Sequence, residues 1–145
     1  MLWKLPPRIK ILEAIGCIGD ERIVIKDENR AVVYSSEGKR AYLVVFNPDK
    51  NKIYSDDNAS KFHHYIGYPI IAFFMKNGII DYDKKLAETL KGINWHKLNL
   101  DFKRDYPKVE SYVKELCEKK GMKKDFVDRE IERTMKKLEE LKLEY

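Results

Sequence analysis

The sequence predicts an α+β fold, in which a four-stranded antiparallel meander is preceded by one helix and followed by a C-terminal helical half. Residues 20–57 hold four short segments rich in β-branched and aromatic residues, separated by turn residues. Residues 67–145 repeat apolar residues at helical spacing. No Gly/Ser-rich or Pro-rich linker joins these parts, so we expect residues 1–145 to form a single domain.

The strand-rich half begins with a helix over residues 7–18, where isoleucine and leucine recur at helical spacing after Pro6 and Pro7. Turn residues then separate the four strands of the meander. The predicted strands are residues 22–27, 30–36, 40–47 and 52–56.

The helical half starts with a segment from Gly67 to Gly78 that is apolar on nearly every side. A helix of that kind is predicted to lie at the centre of the core, with one face of the sheet packed on it. Asn94 is predicted to cap a helix whose apolar positions continue to Tyr106. The remaining helices are predicted over residues 83–91, from Pro107 to before Gly121, and from about Lys124 onward.

Composition restricts the class of protein. No segment has the roughly 20 apolar residues of a membrane span, and no signal sequence is readable, so we expect a cytoplasmic protein. Cys17 and Cys117 are predicted to be buried and unpaired. Lysine outnumbers arginine and glutamine is absent, which is typical of thermophile and especially archaeal proteins. The net charge of +5 is spread over both halves and favours a polyanionic partner only slightly.

Alternation along the strands predicts the two faces of the sheet, because side chains two residues apart share a face. One face is predicted to belong to the core: Ile23, Ile25, Ala31, Val33, Ala41, Leu43, Val45 and Ile53. The other face is predicted to be basic and aromatic: Arg22, Lys26, Arg30, Tyr34, Arg40, Tyr42, Phe46, Lys52 and Tyr54.

The basic and aromatic face suggests a non-catalytic module that binds single-stranded nucleic acid or structured RNA. Aromatic rings stack on bases and cations pair with phosphates, and the residues predicted to do so are Arg30, Tyr34, Arg40 and Tyr42. Two other interpretations remain open: an ordinary half-exposed sheet face, and the interface of a homodimer through that face or the C-terminal region.

An enzyme is the alternative class. The N-terminal half resembles the PD-(D/E)xK nuclease core. The resemblance lies in the order of one helix, three strands and one helix, together with Asp27 and the run Glu37-Gly38-Lys39. The resemblance implies that Asp27 and Glu37 hold a divalent metal that activates water, with Lys39 assisting.

Other catalytic and cofactor patterns are missing from the sequence. It contains no GxSxG, GxxxxGK[ST], GxGxxG or HExxH motif, so we expect no cofactor. His63 and His64 are adjacent and point apart on any regular element, so we expect no metal site there.

Overall fold

The computed structural model describes residues 1–145 and has the predicted α+β architecture. Helix α1 precedes the four strands, a single π-helical turn over Ala59–His63 follows them, and five further helices complete the chain. The elements are α1 Ile9–Gly19, β1 Ile23–Asp27, β2 Arg30–Tyr34, β3 Ala41–Asn47, β4 Lys52–Ser55, α2 Tyr68–Lys76, α3 Lys84–Leu90, α4 Trp95–Asp101, α5 Tyr106–Lys119 and α6 Lys124–Leu141.

The strands form one antiparallel sheet in the order β1-β2-β3-β4. The edge of β4 is covered by the C-terminal segment, where the Ile53 amide donates to the Glu144 carbonyl at 2.9 Å. The edge of β1 has no such cover, and four of its five residues are exposed. The sheet is therefore open at β1.

One hydrophobic cluster of 32 buried residues joins the sheet to the helices. Helix α2 is buried from Pro69 to Met75 and packs on the inner face of the sheet, as predicted. The ring of Phe46 lies edge-on to Phe74 with centroids 5.1 Å apart. Helix α1 is buried nearly all round as well, because α2, α3, α5 and α6 all pack against it.

The prediction for the faces of β3 is wrong. Val33 lies opposite Tyr42 and Ala31 opposite Val44, and residues directly opposite share a face. Val44 is fully buried whereas Leu43 is 39% exposed. Tyr42, Val44 and Phe46 therefore face inward, and the residues at 41, 43 and 45 face outward, the reverse of the predicted assignment.

The loop between β2 and β3 causes this reversal. Tyr34 lies opposite Ala41, so an even-numbered residue of one strand opposes an odd-numbered residue of the other. The loop is held by the Ser35 amide donating to the Arg40 carbonyl at 2.9 Å and by Gly38, whose φ of +72° favours glycine. A register shift of one residue moves every side chain of a strand to the other face.

The helix boundaries agree with the predicted ones to within two residues, with one exception. Asn94 caps α4 by accepting from the Lys97 amide, but α4 ends at Asp101 and does not continue to Tyr106. Lys103 and Arg104 have positive φ values of 53° and 60°, which breaks the helix. Both cysteines are buried and unpaired, as predicted. No helix is long and apolar enough to cross a membrane.

Candidate functional site

The structure separates the four residues predicted to bind nucleic acid into two pairs. Arg30 and Tyr34 lie on the outer face of the sheet, and Arg30 is tied to Asp27 by a 2.7 Å ion pair. Tyr42 faces inward, and it lines a cleft together with Arg40. The sheet therefore has no continuous basic and aromatic face, and only Arg40 and Tyr42 share one site.

The cleft has a volume of about 720 Å³ and lies at the end of the sheet beside the β2–β3 loop. Helix α1, Arg22, helix α4 and the first residue of α5 all contribute lining residues to it. The segment that follows β4 supplies His63, Tyr65 and Tyr68. Six separate parts of the chain thus converge on one concave, mostly polar surface.

A buried ion pair from α1 is part of the cleft wall. The Lys10 ammonium lies 2.9 Å from Glu13 Oε2, and these side chains are only 13% and 5% exposed. Burial acts to lower the pKa of Lys10, but the Glu13 carboxylate outweighs it and the pKa is raised. The ammonium also lies 5.0 Å above the Tyr106 ring. The Lys10 ammonium therefore keeps its charge at neutral pH.

Arg22 is held just as firmly at the start of β1. Its Nε donates to Asp20 at 3.1 Å and its Nη1 donates to the Tyr34 carbonyl at 2.6 Å. Its guanidinium carbon lies 5.9 Å from the centroid of the Tyr68 ring. These contacts fix the guanidinium in the cleft wall without using Nη2, which has no partner in the protein.

Three tyrosines of the cleft, Tyr42, Tyr65 and Tyr68, are neutral hydroxyl groups at physiological pH. Burial raises the pKa of Tyr42, Tyr65 and Tyr68, most strongly for Tyr68. The rings of Tyr42 and Tyr68 meet edge to face with centroids 6.4 Å apart. The cleft therefore offers aromatic surface together with hydroxyl groups that can donate hydrogen bonds.

The rim of the cleft is attached to α4 by polar contacts. The His96 amide donates to Ser36 Oγ at 3.1 Å, and Asn94 Nδ2 donates to Glu37 Oε2 at 3.3 Å. Three exposed cations next to this rim, Lys39, Arg40 and Arg104, take no part in ion pairs within the chain. They leave an excess of positive charge over Glu13 and Glu37 around the cleft.

The carboxylates implied by the nuclease resemblance do not come together. Asp27 pairs with Arg30 at the beginning of β2, whereas Glu37 follows the end of that strand. About 13 Å of extended strand separates the two positions, too far for one metal ion to bridge. Asp27 accepts from the Asn29 amide and pairs with Arg30, and both contacts lower its pKa. Glu37 accepts from Asn94.

A family model described as Uncharacterised conserved protein UCP014422 matches residues 3–144. The chain belongs to this family. The match runs from before α1 to beyond α6, so every residue of the cleft lies within it. Among curated proteins and among solved structures, none matches the chain significantly.

Sequence reasoning missed most of the cleft, because its residues are far apart in the chain. In the sequence, Trp95 and Tyr106 can be recognised only as apolar positions of a predicted helix. One signal was available: Lys10 and Glu13 stand three residues apart inside a helix that is otherwise apolar. Charged residues in such a helix need a partner in the fold.

Proposed function

We propose that this protein binds single-stranded nucleic acid in the cleft. The proposal rests on one observation: cations without ion-pair partners and aromatic rings lie together on the concave surface of the cleft. Single-stranded binding sites combine cations that follow the phosphates with rings on which bases stack. The volume of about 720 Å³ lies within the range of about 300–1,000 Å³ of ligand sites.

The rim cations have the properties of phosphate ligands. Lys39, Arg40 and Arg104 are exposed and have no carboxylate partner, so a phosphate displaces no existing ion pair. Arg30, on the outer face, would first have to release Asp27. Of the four residues predicted from the sequence, the proposal therefore retains Arg40 and Tyr42 and assigns no role to Arg30 and Tyr34.

The test is fluorescence anisotropy with labelled ten-nucleotide RNA and DNA single strands of mixed sequence. Arg40→Ala should weaken binding about tenfold, because it removes one charge-assisted contact. It should also reduce the slope of log affinity against log salt by about 0.7. Tyr42→Ala should cost about 1–3 kcal/mol of binding if a base stacks on this ring.

Arg30→Ala and Tyr34→Ala are matched controls, with the same residue types on the other face of the sheet. They should leave affinity and salt slope unchanged. Loss of binding in the outer-face variants alone would place the interface on the other side of the sheet. No binding of either strand at low salt would refute the proposal.

The second candidate function is self-association through the outer face of the sheet. Val24 and Leu43 are 42% and 39% exposed there, and no helix covers them. A second copy of this chain is the partner that fits this face. Two-fold symmetry would place the exposed apolar residues of one copy against the same residues of the other. Sedimentation at high micromolar concentration should then show a dimer that Leu43→Lys dissociates; a wild-type monomer would remove this candidate.

A further inference from the structure

One residue of the cleft is an exposed apolar ring on a surface that is otherwise mostly polar. Phe62 lines the cleft and is 67% exposed, whereas the other five phenylalanines of the chain are buried or half-buried. Single exposed apolar residues are common on protein surfaces and need no explanation. An exposed ring inside a cleft that also carries free cations is different, because it can contact whatever molecule the cations attract.

The segment that carries this ring is fixed at its beginning. The ring lies on the π-helical turn Ala59–His63, and such turns are rare and frequently occur at functional sites. The Asp57 carboxylate, only 6% exposed, accepts from the Ser60 hydroxyl at 2.8 Å and from the Ser60 amide at 3.2 Å. Asp56 Oδ1 accepts from the Leu43 amide at 2.8 Å and attaches the segment to β3. The start of the turn is therefore preorganised for a ligand.

The end of the turn is fixed as well, and it brings two further rings to the cleft. His64 has a φ of +53°, which a residue other than glycine adopts only when the surrounding structure holds it there. Its carbonyl accepts from the Lys4 amide at 2.9 Å, and its ring stacks on Tyr145 with centroids 4.1 Å apart. The rings of His63 and Tyr65, on either side of it, lie within 11° of parallel with centroids 5.8 Å apart, and both line the cleft.

A cation stands next to the exposed ring. The Lys61 ammonium lies 5.6 Å from the centroid of the Phe62 ring, and this lysine is exposed and forms no ion pair within the chain. A nucleotide joins its base to its phosphate through one sugar, so a base stacked on the ring brings a negative charge near this ammonium. A purely apolar partner would cover the ring but leave the lysine without a counter-charge. The ring and the cation together therefore fit a nucleotide better than an apolar peptide or lipid chain.

We infer that Phe62 is a stacking platform for an unpaired base of the bound strand and that Lys61 contacts the phosphate of the same nucleotide. The inference rests on the proposed nucleic-acid function and adds the class of strand that the cleft accepts. A phenyl ring has no hydrogen-bonding group, so it stacks on any base and reads none. Bases inside a duplex are stacked on their neighbours on both faces, so only unpaired bases can use the platform.

The experiment uses the full chain and fluorescence anisotropy with three forms of one ten-nucleotide DNA sequence: the single strand, the same strand without bases, and the blunt duplex. Phe62→Ala should weaken binding of the single strand at least fivefold, the lower end of the gain from one stacked base. It should leave the affinities for the abasic strand and the duplex unchanged. Replacing every base by thymine or by cytosine should change the affinity less than removing the bases. Lys61→Ala should reduce the slope of log affinity against log salt by about 0.7.

Phe62→Leu separates stacking from hydrophobic contact, because leucine keeps a large apolar side chain but has no ring. It should weaken binding of the single strand nearly as much as Phe62→Ala. Phe62→Trp should keep the affinity, and its added tryptophan emission should be quenched by the single strand and not by the abasic strand. Tyr54→Ala, which removes a ring that is 53% exposed outside the cleft, is the matched control and should leave all affinities unchanged.

Equal loss of affinity for the single strand and the abasic strand in Phe62→Ala would overturn the platform, because the ring would then support the shape of the cleft and not a base. An unchanged affinity in Phe62→Ala, with the dependence on Arg40 intact, would also overturn it and leave the proposed function standing. No binding of any strand would refute both proposals.

Discussion

The buried ion pair of α1 can be tested by removing one of its charges. Glu13→Gln keeps the shape of the side chain and an oxygen for Asn99, but it leaves the Lys10 ammonium without a counter-charge at 13% exposure. Breaking a buried pair in this way costs about 3–5 kcal/mol. Lys10 keeps its contact with the Tyr106 ring, so we expect the lower end, about 3 kcal/mol.

Thermal and urea denaturation followed by circular dichroism measure this cost. At about 3 °C per kcal/mol, the melting temperature should fall by about 10 °C. The double variant Lys10→Met, Glu13→Leu should recover to within about 1–2 kcal/mol of the wild type. Apolar pairs often replace buried ion pairs without loss, but Asn99 also loses the oxygen that accepts from its Nδ2.

Asp101→Asn, which removes the exposed partner of Lys97 on α4, is the control and should leave the melting temperature unchanged. A fall of less than 3 °C for Glu13→Gln would show that solvent reaches the pair and screens it. A double variant as unstable as the single one would show that the pair itself stabilises the fold. Recovery of stability in the double variant would instead indicate that the Lys10 and Glu13 charges serve the chemistry of the cleft and not the stability of the fold.

Three further predictions concern the core. Val44→Ala should destabilise the protein by about 2 kcal/mol and Leu43→Ala by no more than about 0.5 in urea denaturation; the reverse order would contradict the assigned faces of β3. Gly19→Ala should cost about 1–3 kcal/mol, since its Cβ would lie 2.1 Å from the Ala87 carbonyl oxygen, and an unchanged midpoint would exclude this close approach. Burial raises the pKa of the Cys17 thiol to about 11. Its neutral form is thus favoured in the folded state, and stability should fall by about 3 kcal/mol as the pH rises from about 9 to 11, a loss that Cys17→Ala should remove.

Local chemistry determined the elements that the sequence predicts well. Pro69 near the start of α2 and Asn77 after its last residue bound a run of apolar residues, and the structure places that helix in the core as expected. Asn94 and Asp83 cap their helices through side-chain oxygens that accept backbone amides. These signals act within a few residues, so they can be recognised without knowledge of the fold.

The faces of β3 could not be predicted in the same way. Every residue from 41 to 46 is apolar or aromatic, so both alternating sets are plausible as the core face. The choice depends on the pairing of Tyr34 with Ala41, which the loop from Ser35 to Arg40 imposes. One residue more or fewer in that loop would exchange the two faces.

The sequence by itself determined the α+β class, the strand order of the meander and the central position of α2, because each depends on spacing and on residues close in the chain. Only the tertiary structure decided the site. The cleft joins Lys10 and Glu13 to Arg22, Tyr42 and Asn99, whose convergence depends on how α1, the sheet and α4 pack together. Polar residues at such separations have no periodicity to mark them, and their burial and missing partners arise only when the core has formed.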